Sequence, residues 1–286
     1  MARGNMPRQP SKSGRHTAAE KVRGGARPVK ASAPSPPAPA KAARPRAALN
    51  AAGEAIKPPK TYNPLAPDRI REILKRLGQT YPDVKCALTH SNAWELLVAT
   101  ILSAQCTDVR VNMVTPGLFK KYPTPKHFAA LDPEELEPDI RSTGFFRNKS
   151  KSVVGAAREV VGNFGGKVPD DMQALLSLPG VARKTANVVL GSWFGKAEGV
   201  VVDTHVHRIS RRLELTQEND AQKIEQDLMK VIPRERWIDF SHQVIHHGRA
   251  LCVARLPKCA ECPLETICHA ADKTWSTVPI HSTAQP

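Results

Sequence analysis

The sequence contains no run of about 18 apolar residues, which is the length that a membrane-spanning helix needs. Its N-terminus also lacks the apolar core and the small-residue cleavage site of a secretion signal. Strand-like alternation of apolar and polar residues is nearly absent, and the best candidate strand covers only 200–202. Together these absences predict a soluble, intracellular protein that is built from helices.

Acidic residues are scarce in the first 60 positions, where 13 Lys or Arg stand against two acids, a net charge of +11. The same segment holds ten prolines and hardly any large apolar residue, so it cannot bury enough surface to offset the entropy of an ordered chain. We predict a disordered basic arm over 1–60, which either adds non-specific attraction to phosphate or is only a solvated extension. The remaining residues carry 29 basic and 25 acidic side chains, a net charge of +4, so any nucleic-acid function must rest on particular sites.

From Asp68 onward, apolar residues recur at the spacing of amphipathic helices. The members of the first apolar stripe are Ile70, Ile73, Leu74 and Leu77. Asn92 followed by Glu95 is a capping-box pattern, and a mostly apolar segment suited to a buried helix comes after it. Further helices are predicted at about 107–120, 133–140, 148–164, 171–177, 183–194, 204–213, 220–231 and 234–247. The predicted fold class is all-α.

The segment 178–182, Leu-Pro-Gly-Val-Ala, predicts a tight reversal between two helices. Pro179 presets one backbone angle, and Gly180 permits a conformation that other residues resist. The backbone of this turn leads into a helix N-terminus, and such amides suit a phosphate without reading base sequence. The candidate phosphate contacts are Gly180 and Ala182, although the pattern is also typical of an ordinary helix-turn-helix corner.

Two side chains near this hairpin are candidates for catalysis. Lys184 falls in the first turn of a predicted helix, where the backbone dipole disfavours its charged form, and partial burial would lower its pKa further. A neutral amine of this kind is a nucleophile, whereas a solvated surface lysine is the alternative. Asp203 precedes another helix, so it is either an N-cap, a charged partner that handles protons near a nucleophile, or both.

Four cysteines lie within 17 residues, separated by six, two and five residues. They are Cys252, Cys259, Cys262 and Cys268. Such a cluster in an intracellular protein indicates a metal site, either zinc or iron–sulfur. Because there is a single close pair in one contiguous loop, the spacing favours a 4Fe-4S cluster. Arg255 and Lys258 lie inside the loop and are either phosphate contacts or solvated charges.

Two histidines, His242 and His246, stand four residues apart on a predicted helix, as metal ligands do. Gln243 occupies the place where a zinc protease needs its general-base glutamate. We therefore interpret both histidines as packing or hydrogen-bonding residues.

Four segments resemble the endonuclease III family and occur in its order. They are 102–108 (Leu-Ser-Ala-Gln-Cys-Thr-Asp), the hairpin with Lys184, 202–205 (Val-Asp-Thr-His) and the cysteine loop. The resemblance covers roughly 65–270. It implies a helix-hairpin-helix glycosylase with a six-helix barrel domain at 87–196 and an iron–sulfur domain at 61–86 and 197–286, flanking a DNA groove.

The resemblance also implies a chemistry. In it, Lys184 attacks the sugar of an oxidised pyrimidine nucleotide, forms a Schiff base and cleaves the strand by β-elimination, with Asp203 as the acidic partner. Gln105 fills the gap left by the flipped nucleotide, and Phe145 is an apolar wedge between bases. The implied cofactor is one 4Fe-4S cluster. The implied partner is double-stranded DNA with damaged pyrimidines or abasic sites, bound by a cytoplasmic monomer that is nucleoid-associated in a bacterium.

The chain departs from the family pattern at two positions. Ala182 replaces a second hairpin glycine, which affects how closely a phosphate approaches. Phe145 replaces a leucine, which affects the preference for the opposite base. One alternative function is a monofunctional mismatch adenine glycosylase, although those enzymes lack a lysine at position 184. The other is a non-catalytic DNA-binding protein with a structural metal.

Overall fold

Helices make up nearly all of the regular structure in a computed structural model, which describes Pro58 and residues 60–286. These residues belong to one compact unit, Arg44–Pro286, and they contain no strand. The α-helices are α1 (Pro67–Thr80), α2 (Ala93–Ser103), α3 (Asp108–Lys121), α4 (Pro125–Ala129), α5 (Pro133–Ile140), α6 (Phe146–Asn163), α7 (Met172–Leu176), α8 (Arg183–Ser192), α9 (Thr204–Arg212), α10 (Ala221–Val231) and α11 (Trp237–Ala250). The all-α prediction is therefore confirmed, while the predicted arm, apart from Pro58 and Lys60, lies outside the described residues.

Each helix that periodicity predicts is present, and the differences are local. Helix α4, which has five residues, was not predicted. The predicted helix at 234–247 begins as a 3-10 turn, Arg234–Arg236, before α11. The run 200–202 is buried but is not a strand.

The capping-box prediction at Asn92 is only half correct. The Asn92 side chain accepts a hydrogen bond from Glu95 N at 2.9 Å, as an N-cap does. The Glu95 carboxylate, however, accepts from Ser91 N at 2.6 Å rather than from Asn92 N. The hydrogen bond that a capping box would place between Asn92 N and Glu95 is made by Ser91 N instead, and the Asn92 side chain still caps the start of α2.

Two clusters of buried apolar side chains form the interior. The first draws on residues between Leu88 and Leu190, with α2 packed against α6 and α8. The second draws on 70–81 and on residues between Val200 and Leu264, where α11 packs against α1 and α9. We call them the first core and the second core. None of the described helices combines the length and the apolar character needed to cross a lipid bilayer.

Candidate active site and cysteine loop

The turn between α7 and α8 requires glycine at position 180. Gly180 has a φ of +76°, and a Cβ there would lie 2.4 Å from the Cβ of Ser152 on α6. Leu178 and Val181 are buried on either side and anchor the turn to the first core. Because both the backbone angle and the space exclude a side chain, only glycine fits the turn without strain.

Ala182 follows this turn as the N-cap of α8 and provides no side-chain hydrogen bond to it. Its φ of −90° and ψ of 168° are ordinary for alanine, so its replacement of a glycine causes no backbone strain. Both Gly180 and Ala182 are exposed. The first amides of α8 therefore remain free of a side-chain cap, as an anion-binding helix start requires.

Lys184 is the second residue of α8 and lines an open cleft, which we call the central cleft. The Lys184 side chain is exposed, so burial does not add to the effect of the helix dipole on its amine. Helix α8 presents this residue to the open side of the cleft, a feature of packing that local sequence does not contain. Among the described residues, the Lys184 amine forms no hydrogen bond or ion pair.

Asp203 is the N-cap of α9 and lines the same cleft. One oxygen, Oδ1, accepts from His205 N at 2.8 Å and from Val206 N at 2.9 Å. The other oxygen, Oδ2, accepts no hydrogen bond from the described residues. The carboxylate is thus fixed by the helix it caps while one oxygen remains free for a proton or a cation.

The central cleft lies between the two cores. The wall from the second core includes one face of α11, with His242, His246 and Arg249, and the wall from the first core includes Asp108 at the start of α3. Arg249 and Asp108 form an ion pair of 2.5 Å across it. Sequence reasoning missed this pair, because its members are 141 residues apart.

His242 lies in this wall as a hydrogen-bonding residue. Its Nε2 is 3.3 Å from Ser192 Oγ, and burial lowers the pKa of its imidazole. Among the described residues, no group of three or more His, Cys, Asp or Glu side chains forms a site for a single metal ion.

Gln105 and Phe145 are both exposed and both have left-handed backbone, with φ of 53° and 47°. Gln105 lies between α2 and α3, and Phe145 precedes α6. Below Phe145, the buried Lys149 donates to Thr143 O at 2.7 Å and braces the turn, and burial lowers the pKa of this amine. Left-handed backbone in residues other than glycine is costly and often marks functional segments.

The four cysteines of the loop line one cavity together with the buried Arg212 and Lys273. Arg212 Nη1 donates to Cys252 Sγ at 3.2 Å and to Val253 O at 2.9 Å, so this cation is held against the Cys252 sulfur. Burial raises the pKa of the Cys262 thiol to about 12 and that of the Cys268 thiol to about 11. Both sulfurs therefore keep their protons unless a metal centre displaces them.

The surface of the loop carries Arg255 and Lys258, which are exposed and form no ion pair with other described residues. Leu256 between them is 75% exposed and has a φ of 54°. The loop thus presents two unpaired cations and one apolar side chain, on a residue with left-handed backbone, to solvent.

Comparisons with known proteins agree on one family. A family profile described as "HhH-GPD superfamily base excision DNA repair protein" matches residues 98–234. Endonuclease III of Synechocystis sp. is 55% identical over 203 residues, which cover 71% of this chain and 93% of the relative. Endonuclease III of Bacillus subtilis is 44% identical over 206 residues, which cover 72% and 94%.

Solved structures are similar over the same extent. A trapped covalent intermediate of an endonuclease III with DNA matches with a TM-score of 0.67 and 44% identity, covering 71% of this chain and 95% of that one. A non-covalent complex of endonuclease III with DNA matches equally well. A thermostable thymine-DNA glycosylase, at 22% identity and a TM-score of 0.63, shares the fold.

Proposed function

The chain belongs to the endonuclease III family, and from this membership we infer that it is a bifunctional DNA glycosylase and AP lyase of base excision repair. It releases oxidised pyrimidines from DNA and cleaves the strand at the abasic site. The observation that supports our choice of catalytic residues is that Lys184 and Asp203, from different helices, line one cleft.

In the proposed reaction, the Lys184 nitrogen forms a bond to C1′ of the damaged nucleotide. The bond between C1′ and the base breaks, and the base leaves with the electron pair. The sugar then opens to a Schiff base. Loss of a proton from C2′ and cleavage of the bond between C3′ and oxygen release the 3′ phosphate.

Asp203 is proposed to assist both stages. The amine attacks only in its uncharged form, so its proton must go to a nearby base, and the free Oδ2 of Asp203 is available in the same cleft. The same carboxylate would stabilise the positive charge that develops on the sugar as the base departs. Its bonds to the α9 amides hold it in place during these steps.

We propose that the first core and the second core are the interiors of two domains, 87–196 and 61–86 with 197–286, on either side of the bound DNA. The uncapped start of α8 at Gly180 and Ala182 would bind a phosphate. Gln105 and Phe145 are both exposed and both have left-handed backbone. Gln105 would fill the gap left by the extruded nucleotide, and Phe145 would separate neighbouring bases. Arg255 and Lys258 would contact phosphates further along the strand. The protein would act in the cytoplasm, where a bacterial chromosome lies.

We propose one 4Fe-4S cluster as the resident cofactor. The donor set fits it, because four thiols of one loop line one cavity and Arg212 Nη1 donates to Cys252 Sγ at 3.2 Å, a contact that would stabilise a thiolate there. When bound, a cluster would cross-link the loop and support Arg255 and Lys258 as a structural element. Purified protein should be brown and contain both iron and acid-labile sulfide, and stoichiometric zinc without sulfide would contradict the proposal.

Borohydride reduction on DNA with an abasic site tests the enzymatic proposal. Wild-type protein should form a covalent adduct with the DNA, and Lys184→Ala should not. Lys126→Ala is a matched control, because Lys126 is also an exposed second residue of a helix, α4, outside the central cleft. An adduct that survives Lys184→Ala, or its absence with wild-type protein, would overturn the assignment.

A further inference from the structure

The start of α8 is joined to α10 by a buried carboxylate that does not line the central cleft. Glu225 of α10 is only 5% exposed. Its Oε2 accepts from Arg183 Nε at 2.8 Å, and its Oε1 accepts from Asn187 Nδ2 at 2.8 Å. Helix α8 packs in the first core and α10 in the second, so these three residues connect the two cores. We call Arg183, Asn187 and Glu225 the α8–α10 link.

The link is attached to the face of α8 that adjoins the one in the cleft. Arg183 and Asn187 are four residues apart and therefore share one face of the helix. Lys184 and Val188, each the next residue along, line the central cleft. Successive residues of a helix are turned by about 100°, so fixing the first pair also fixes the direction of the second. The link thus sets the rotation of α8 and the side from which Lys184 enters the cleft.

The same link also contacts the segment that leads to Asp203. A Cβ at Gly199, four residues earlier, would collide with Glu225 Oε1 and would lie 2.6 Å from Asn187 Nδ2. The backbone can pass this close only because Gly199 has no side chain. Arg183 Nη2 also donates to the preceding carbonyl oxygen of this segment at 3.5 Å. Both proposed catalytic residues therefore belong to backbone that contacts the link.

We propose that Glu225 is a positioning residue of the reaction, which holds α8 so that the Lys184 amine meets C1′ of the extruded nucleotide within reach of Asp203. The inference rests on the proposed function and deepens it. Attack on carbon tolerates little displacement, since an error of about 1 Å can lower a rate about 100-fold. A buried ion pair adds little net stability over apolar residues of similar volume, but its hydrogen bonds are directional, which suits it to this task.

Two substitutions at this position separate orientation from charge. Glu225→Met has a similar volume and removes both hydrogen bonds. Glu225→Gln removes the charge but can keep two bonds, because its carbonyl oxygen can accept from Arg183 while its amide donates to Asn187. The acceptor would be Asn187 Oδ1, which is buried and has no hydrogen-bond partner among the described residues, after a flip of the Asn187 amide.

Single-turnover base release and formation of the borohydride-trapped adduct on abasic DNA measure the effect, with protein in saturating excess so that the rate constants do not depend on the folded fraction. Glu225→Met should lower both rate constants about tenfold or more, while the Kd for DNA changes less than about threefold. Glu225→Gln should recover to within about threefold of wild type. Arg183→Met removes the half-exposed end of the same ion pair and should lower both rate constants in the same direction, which keeps the test open if Glu225→Met does not fold.

Arg234→Met is the matched control. It removes an exposed 3.1 Å pair with Glu198 beside the link, makes no hydrogen bond to α8, and should leave both rate constants unchanged. Wild-type rate constants in Glu225→Met or Arg183→Met would refute the positioning role. An equal loss in Glu225→Gln and Glu225→Met would replace it with a role of the charge. If wild-type protein itself forms no adduct, the proposed function fails and not only this inference.

Discussion

The Asp203 carboxylate has one oxygen bound to the start of α9 and one that is free, so a single residue can serve two purposes. Asparagine is as good an N-cap as aspartate but has no negative charge. Substitution at this position can therefore separate the structural role from the chemical one.

Asp203→Asn should leave the free energy of unfolding within about 0.5 kcal/mol of wild type and should lower base release about 100-fold or more. Asp203→Ala should lower base release similarly and also cost about 1 kcal/mol of stability, because the cap is lost. Urea unfolding and single-turnover kinetics measure the two effects. Normal base release by Asp203→Asn would show that Asp203 acts only as the N-cap of α9 and not in the reaction.

Gly180 gives a second prediction at this scale. Gly180→Ala places a Cβ 2.4 Å from that of Ser152 at a φ of +76°, so it should destabilise the protein by about 2–3 kcal/mol. Ala182→Gly two residues later, at an ordinary backbone angle, should change stability by less than about 1 kcal/mol. Equal effects of the two changes in urea unfolding would contradict the geometry of the turn.

At the scale of elements, the cysteine loop is held by the segment that follows it. The Lys273 amine donates to Cys268 O at 3.0 Å and pairs with Glu265 at 2.7 Å, and both side chains are almost fully buried. Thr274 Oγ1 donates to Pro257 O at 2.5 Å, and Asp272 pairs with Arg212. Residues 272–274, which follow the last of the four cysteines, therefore hold the loop in place.

Lys273→Met should cost about 3–5 kcal/mol of unfolding free energy, because it leaves the Glu265 carboxylate buried without its cation. We also expect faster loss of iron, measured by visible absorbance during storage in a chelator. Lys230→Met is the control, since it removes an exposed pair with Asp227 and should cost less than about 1 kcal/mol. A similar small effect of both changes would show that the buried pair does not stabilise the loop.

At the scale of the whole molecule, positive charge is divided unequally along the chain. Residues 1–60 hold +11 of the net charge of +15, while the rest carries +4. If the N-terminal segment attracts phosphate, it contributes to binding of any DNA and not to recognition of damage.

Removal of residues 1–60 should weaken binding to undamaged and damaged duplexes alike. It should also reduce the salt dependence of binding, since each lost phosphate contact removes about 0.9 from the slope of log K against log salt. Titrations at several salt concentrations measure this slope, and a lesion panel measures selectivity, which should not change. An unchanged slope would identify the segment as a solvated extension.

The sequence by itself determined the features that depend on near neighbours. Apolar repeats defined α1, α6 and α9 because a helix brings residues three and four apart onto one face. Gly180 and the caps Asn92 and Asp203 were recognisable because backbone angles and first-turn amides are satisfied locally. The cysteine spacing indicated a metal because all four thiols belong to one short loop.

Tertiary structure alone decided which of these features meet. The exposure of Lys184, its place beside Asp203, and the pairing of Asp108 with Arg249 all depend on how the two cores pack against each other. The burial of Lys149 and Lys273 has the same origin. A contact across 141 residues leaves no periodic trace along the chain, because its partners are brought together by the packing of every helix between them.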